Sequence, residues 1–229
     1  MSAFVLGATG LVGREVVRQL CVRGRKATAH VRPDSKTLDV WRERFGAMGA
    51  TIDTSAWRIA DLAARFRELK PEQIYILIGT TRSRAKLDAV QGDIYESIDL
   101  GLTQLAVDAA KQAGVSSRLV YLSSVGANPD ARSAYMRARG KAENIVQTSG
   151  LPWVIARPSI ITGERDQSRF GESMGAFVGD GVLALASLVG GKVLRSRYRS
   201  TTADVLASAL IRIGEAPTHG CILDGNDLR

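Results

Sequence analysis

The stretch Gly7-Ala8-Thr9-Gly10-Leu11-Val12-Gly13 narrows the folds open to this chain more than any other feature. It follows a short apolar run, Ala3-Phe4-Val5-Leu6, and opens a segment whose apolar residues Leu11, Val12, Val16 and Leu20 recur at helical spacing. Gly24 supplies a helix stop, and Lys26-Ala27-Thr28-Ala29-His30-Val31 reads as a second strand. Strand, glycine loop, helix and strand make a β-α-β unit of the size a parallel crossover requires. Small residues let the backbone turn tightly and let an anionic group approach the amides. The helix start adds unpaired N–H donors and the positive end of its dipole. The spacing is G-x-x-G-x-x-G, one residue different from the G-x-G-x-x-G dehydrogenase form, and the expected ligand is the pyrophosphate of a dinucleotide. Its contacts are expected from Gly7, Thr9, Gly10, Leu11, Val12 and Gly13.

The rest of the chain keeps the alternation. Trp41 to Met48 and Asp61 to Leu69 read as helices, and a third strand is expected within Thr51 to Ile59. Ile74 to Ile78 is a continuous apolar run ending at Gly79, as expected of a strand buried on both faces. One long helix is predicted from Ile94 to Ala113, a strand at Arg118 to Ser123, a helix from Ser133 to Ser149 and a strand at Trp153 to Arg157. A Gly-rich, less regular region runs from Gly163 to Gly191, with a helix between Phe177 and Val189. A helix from Asp204, placed to cap its own N-terminus, and a short strand at Cys221 to Leu223 complete the pattern. This is an α/β fold, a doubly wound parallel sheet of the Rossmann type. The expected organisation is one domain over residues 1–229, with a small C-terminal substrate lobe formed mainly by 163–200.

The second strand bears on which dinucleotide is held. An NAD site places Asp or Glu near its end to accept from the ribose 2′-hydroxyl. His30-Val31-Arg32-Pro33 offers no carboxylate before Asp34, which lies past a proline. Arg32 stands there instead, and its guanidinium can fork a 2′-phosphate, with Arg14 and Lys36 able to add to the same pocket. NADP(H) is the expected cofactor.

Further segments follow in order: Ile78-Gly79-Thr80-Thr81-Arg82, Leu122-Ser123-Ser124-Val125-Gly126-Ala127, Tyr135 with Gly140 and Glu143, and Arg157-Pro158. With the glycine loop, they resemble the atypical short-chain dehydrogenase/reductases of the NmrA-like and Tat-interacting oxidoreductase type. The resemblance runs from Val5 to about Leu228. It implies a Ser-Tyr-Lys set, with Ser124 polarising a carbonyl and Tyr135 donating or accepting the proton. It also implies that Gly79, Thr80, Ser123 and Arg157 lie along the cofactor. Free tyrosine titrates near pH ~10, so an acid/base at neutral pH needs a cation close by. The position facing Tyr135 one helical turn on is occupied by Arg139, where the family has lysine, and Lys141 falls on another side of the helix. Arginine still favours the phenolate and could hold ribose hydroxyls, but it does not give up its proton. The family's third strand ends in an acidic residue followed by leucine, and Asp53 to Trp57 does not carry that pair.

Composition excludes several alternatives. Cys21 and Cys221 stand far apart in apolar surroundings, and with His30 and His219 they form no zinc-ligand pattern. Neither a membrane-spanning apolar run nor a signal-peptide pattern is present, which leads to a cytoplasmic expectation with reduced core cysteines. The net charge is +8, but aromatics are only 6% and the basic groups, Arg195 to Arg199 among them, form no nucleic-acid motif, so a nucleic-acid partner is disfavoured. Two functions remain. One is an NADP(H)-dependent oxidoreductase acting on a small carbonyl or hydroxyl substrate through Ser124, Tyr135 and Arg139. The other is an NADP(H)-sensing, NmrA-like regulator with a protein partner.

Overall fold

The computed structural model describes residues 1–79, 95–162 and 200–229. The expected C-terminal lobe, with its predicted helix, lies outside the described residues, as do Thr80, Thr81, Arg82 and the Arg195 to Arg199 stretch.

The β-α-β unit forms as its pattern requires. Strand β1 (Ser2–Leu6) leads through the glycine loop into α1 (Leu11–Val22), which turns at Gly24 into β2 (Lys26–His30). After α2 (Leu38–Ala47) come β3 (Thr51–Asp53), α3 (Ile59–Leu69) and β4 (Gln73–Ile76). Beyond a π-helical turn, Tyr95–Leu100, run α4 (Gly101–Ala113), β5 (Arg118–Leu122), α5 (Ala134–Gln147) and β6 (Trp153–Arg157). The two-residue strands β7 (Ile161–Thr162) and β8 (Thr201–Thr202) pair with each other, and α6 (Ala203–Glu215) and β9 (Cys221–Asp224) follow.

The main sheet has the order β3-β2-β1-β4-β5-β6-β9, and every pairing in it is parallel. The fold is thus the doubly wound Rossmann type. One face carries a core of Val12, Val16, Leu20, Tyr75, Leu206 and Leu210 under α1 and α6; the other carries Phe4, Leu62, Phe66, Val107, Tyr121 and Val146 under α3, α4 and α5. Chain order reverses between β1 and β4, so a crevice opens at their carboxyl ends, where such sheets bind ligands.

Three local readings change. Within the single helix expected from Ile94, the described residues 95–100 form a π turn, and Thr103 Oγ1 donates to the Asp99 carbonyl at 2.6 Å where that turn meets α4. Thr202, not Asp204, caps α6: its hydroxyl accepts from the Val205 amide at 3.3 Å. Asp204 instead accepts from Gln19 Nε2 at 3.0 Å and ties α6 to α1. The cysteines are free and half-buried at the margin of one core.

Candidate functional site

The glycines act at the switch point, each for a different reason. Gly7 has φ +78°, and a β-carbon there would lie 2.6 Å from the Leu77 carbonyl oxygen. A β-carbon on Gly13 would lie 2.2 Å from the Gly7 oxygen, so the third glycine lets helix and strand approach. Gly10 is the N-cap of α1, and a β-carbon there would meet only the Gly7 oxygen at 3.2 Å. The Gly7 carbonyl accepts from the Gly10 amide, and the helix ladder begins with the Arg14 amide on the Gly10 carbonyl. The amides of Leu11, Val12 and Gly13 therefore precede that ladder, and the first turn carries no acidic residue. Thr9 is half-buried within the turn. A bare helix start beside a turn without side-chain bulk fits a pyrophosphate.

Arg32 lies just past β2, its side chain 34% exposed, with Nε 3.7 Å from an Asp34 carboxylate oxygen. His30, the last residue of β2, is buried against Phe4 and Trp57, with Nε2 2.9 Å from the Ser55 carbonyl. Asp53 ends β3, so an acidic residue does stand at that strand end, followed by Thr54. Its carboxylate is buried, accepting from Arg65 Nε at 2.6 Å and from the Ser55 amide at 3.0 Å.

The residues expected to carry chemistry gather at the ends of β4 and β5. Tyr135, Arg139 and Glu143 share one stripe of α5. The Arg139 guanidinium carbon lies 5.3 Å from the centre of the Tyr135 ring, and Tyr95 meets that ring edge-on at 5.4 Å. Arg139 is also more enclosed than its sequence setting implied. Nη1 donates to the Leu122 carbonyl at 2.7 Å and to the Tyr121 hydroxyl at 3.2 Å. Nη2 donates to the Ile78 carbonyl at 3.1 Å and pairs with Asp99 Oδ1 at 2.7 Å. Burial opposes its charge, but Tyr135, Tyr121 and Asp99 outweigh burial and hold the guanidinium's pKa well above its usual range. Both Nη groups are taken up by protein acceptors, while the buried Nε has no hydrogen-bond partner among the described residues.

Ser123 and Arg157 meet on Glu143. The buried Ser123 hydroxyl donates to Glu143 Oε1 at 2.5 Å. Arg157 Nε donates to the same oxygen at 2.8 Å, and its Nη2 pairs with the other. Ser124, next along, is half-buried, and its hydroxyl makes only a 3.4 Å contact with the Val125 carbonyl. The Ser124 loop is fastened to α5: a β-carbon on Gly140 would lie 2.2 Å from the Asn128 carbonyl carbon, and Arg137 Nη1 donates to the Ala131 carbonyl at 2.9 Å. Gly79 abuts Arg139, for a β-carbon there would lie 2.8 Å from Nη2.

Asp99 is the residue that motif reading passed over, while Glu143 stood in the motif without a role. Asp99 was visible in principle, since it interrupts the apolar stripe of Tyr95, Ile98, Leu102 and Ala106.

The model of the NAD(P)H-binding family matches residues 7–182. The chain belongs to the NAD(P)H-binding family. Similar relatives include FMP52 of Debaryomyces hansenii, 30% identical over 170 residues that span 74% of this chain and 70% of the relative. FMP52-1 of Scheffersomyces stipitis is 31% identical over 173 residues, 74% of this chain and 71% of the relative. In fold the chain is similar to the Bordetella bronchiseptica enzyme WbmH, solved in complex with NAD+, with a TM-score of 0.65 at 19% identity over 95% of this chain and 73% of that one. Both fungal relatives are named as mitochondrial proteins, which overturns the cytoplasmic expectation. Free cysteines do not distinguish those compartments. Among the described residues no helix is long and apolar enough to cross a membrane.

Proposed function

We propose that this member of the NAD(P)H-binding family is an NADP(H)-dependent oxidoreductase acting on a small carbonyl or hydroxyl substrate. The observation that carries the reading is the Arg139 guanidinium 5.3 Å from the Tyr135 ring, at the carboxyl end of β5. The permanent cation holds the Tyr135 ring at the ends of β4 and β5. Tyr135 exchanges the proton with the substrate oxygen. Ser124 donates a hydrogen bond to that oxygen; Ser123 is less suited because Glu143 already takes its proton. Arg139 is a positioning residue that acts through Tyr135. The bound dinucleotide supplies or accepts the hydride. Gly7, Thr9, Gly10, Leu11, Val12 and Gly13 cradle its pyrophosphate, Gly79 lies against its phosphates and ribose, Ser123 lies along it, and Arg157 belongs to the segment that passes its nicotinamide end. Preference for NADP(H) rests on Arg32, the first charged side chain past β2.

A second reading, a regulator that binds NADP(H) without turnover, is favoured by one observation: Asp99 sits 2.7 Å from Arg139 and offsets its charge. Tyr135→Phe decides between the two. For an oxidoreductase it abolishes reduction of a panel of aldehydes and ketones and leaves NADPH binding intact. A wild-type chain that binds NADPH yet reduces none of the panel supports the regulator.

A further inference from the structure

The Asp99 side chain is fully buried, on the π-helical turn that precedes α4, and nothing in the fold's glycine-loop logic requires a carboxylate there. Burying a carboxylate is costly unless it is paired, and this one is paired with Arg139 at 2.7 Å. The guanidinium therefore lies between two groups that compete for its field, Asp99 on one side and the Tyr135 ring on the other. Its remaining Nη contacts are neutral acceptors, the Ile78 and Leu122 carbonyls and the Tyr121 hydroxyl. These fix the guanidinium to the ends of β4 and β5 and leave its balance of charge to Asp99.

We infer that Asp99 is a positioning residue that sets how much positive charge Tyr135 feels, by holding and partly neutralising Arg139. The inference rests on the oxidoreductase reading for its consequence in turnover, but the physical link does not need turnover. Among the described residues, the charged and titratable groups on the elements packed at Tyr135 are Arg137 and Arg139 on α5, Tyr95, Glu96 and Asp99 on the π turn, and Tyr121 on β5. Glu96 is exposed and paired with Lys141 at 3.1 Å, and Arg137 is directed to the Ala131 and Arg132 carbonyls. Among the described groups, Asp99 is the carboxylate that is both buried and in contact with the Tyr135 cation.

The π turn gives this pair its geometry. A regular helix would advance about 100° per residue through this segment, and one wider turn changes which side chains face α5. With the π turn in place Tyr95 meets Tyr135 and Asp99 meets Arg139. The Thr103 hydroxyl on the Asp99 carbonyl secures the end of that turn. The carboxylate is thus held by the backbone that carries it and not by its partner alone.

The test is the titration of Tyr135, read as phenolate absorbance in the difference between the chain and its Tyr135→Phe variant. Asp99→Asn leaves the Arg139 charge uncompensated, so the Tyr135 midpoint is expected to fall. The acid limb of the kcat profile moves the same way, and Asp99→Glu restores the parent values. An unchanged or raised midpoint overturns the proposal. If Asp99→Asn does not fold, the same reading is taken on Asp99→Ser, whose smaller neutral side chain also leaves the Arg139 charge uncompensated. The midpoint must fall there too, and an unchanged or raised midpoint overturns the proposal. A midpoint that falls in a chain without turnover would sink the oxidoreductase reading and keep this one. Turnover that depends on Tyr135, with a midpoint that ignores Asp99, would do the reverse.

Discussion

Substituting alanine at Gly7 and, separately, at Gly24 measures how rigidly the glycine loop is held. Both glycines have positive φ, +78° and +68°. A β-carbon in that region costs roughly 1–2 kcal/mol at either site. Only Gly7 adds a collision, because its β-carbon would lie 2.6 Å from the Leu77 carbonyl oxygen while Gly24 has nothing within 4 Å. Forcing backbone apart in a packed interior adds about 1–3 kcal/mol. Gly7→Ala should therefore destabilise by about 2–5 kcal/mol and Gly24→Ala by about 1–2. The gain from a stiffer unfolded chain, about 0.4–1 kcal/mol, is common to both and cancels in the comparison. In a chain of this size each kcal/mol lowers Tm by roughly 2–4 °C, so the expected losses are about 4–20 °C and about 2–8 °C. Thermal unfolding followed by circular dichroism reads the difference, and NADPH titration shows whether Gly7→Ala alone loses nucleotide. Equal losses of Tm would refute the reasoning, because Leu77 would then give way freely and the loop would not be wedged between β1 and β4.

Two further outcomes are expected. Arg32→Gln should weaken NADPH binding at least ~10-fold, since a hydrogen bond to a charged group contributes about 1.5–3 kcal/mol, and leave NADH binding unchanged in calorimetric titrations; a parallel loss of both would remove Arg32 from the 2′-phosphate site. Burial holds His30 below its ordinary pKa of 6.5, against the opposing pull of the Ser55 carbonyl and Asp53. Below that pH the unfolded chain takes up a proton that the folded chain resists, so this stability is complete above pH 6.5 and drains away as the pH falls. Urea unfolding on either side of pH 6.5 should show the slope, and His30→Gln should flatten it; an equal slope in the variant would place the effect elsewhere.

What the residues disclosed in advance was whatever depends on local pattern. The apolar run before Gly7 and the 3.6-residue period after it define a crossover by themselves, and Ile74 to Ile78 reads as a doubly buried strand because it has no polar alternation. What stayed hidden depends on partners distant in sequence. Arg139 could be placed facing Tyr135 from helical spacing, but not between the Ile78 and Leu122 carbonyls, which only strand adjacency brings to it. Asp53 was set aside for want of a following leucine, although the structure puts it at the end of β3, tied to Arg65. Asp204 looked like a cap because it is acidic near a helix start, yet the hydroxyl two residues earlier has the better reach. The π turn has no compositional marker, and an α-helical wheel drawn from Ile94 misplaces the residues it reorients.

The 2.8 Å between the Arg139 Nη2 and the place where a Gly79 side chain would begin means that these two positions are not separate variables. Whatever occupies position 139 dictates how much volume position 79 is allowed. A chain of this design can exchange the long planar cation for a shorter one only by opening a gap above the ends of β4 and β5. Filling that gap from position 79 would remove the flexible glycine from the rim of the crevice. The arginine and the glycine therefore form one steric unit, and a redesign of the Tyr135 partner also changes the space open at position 79.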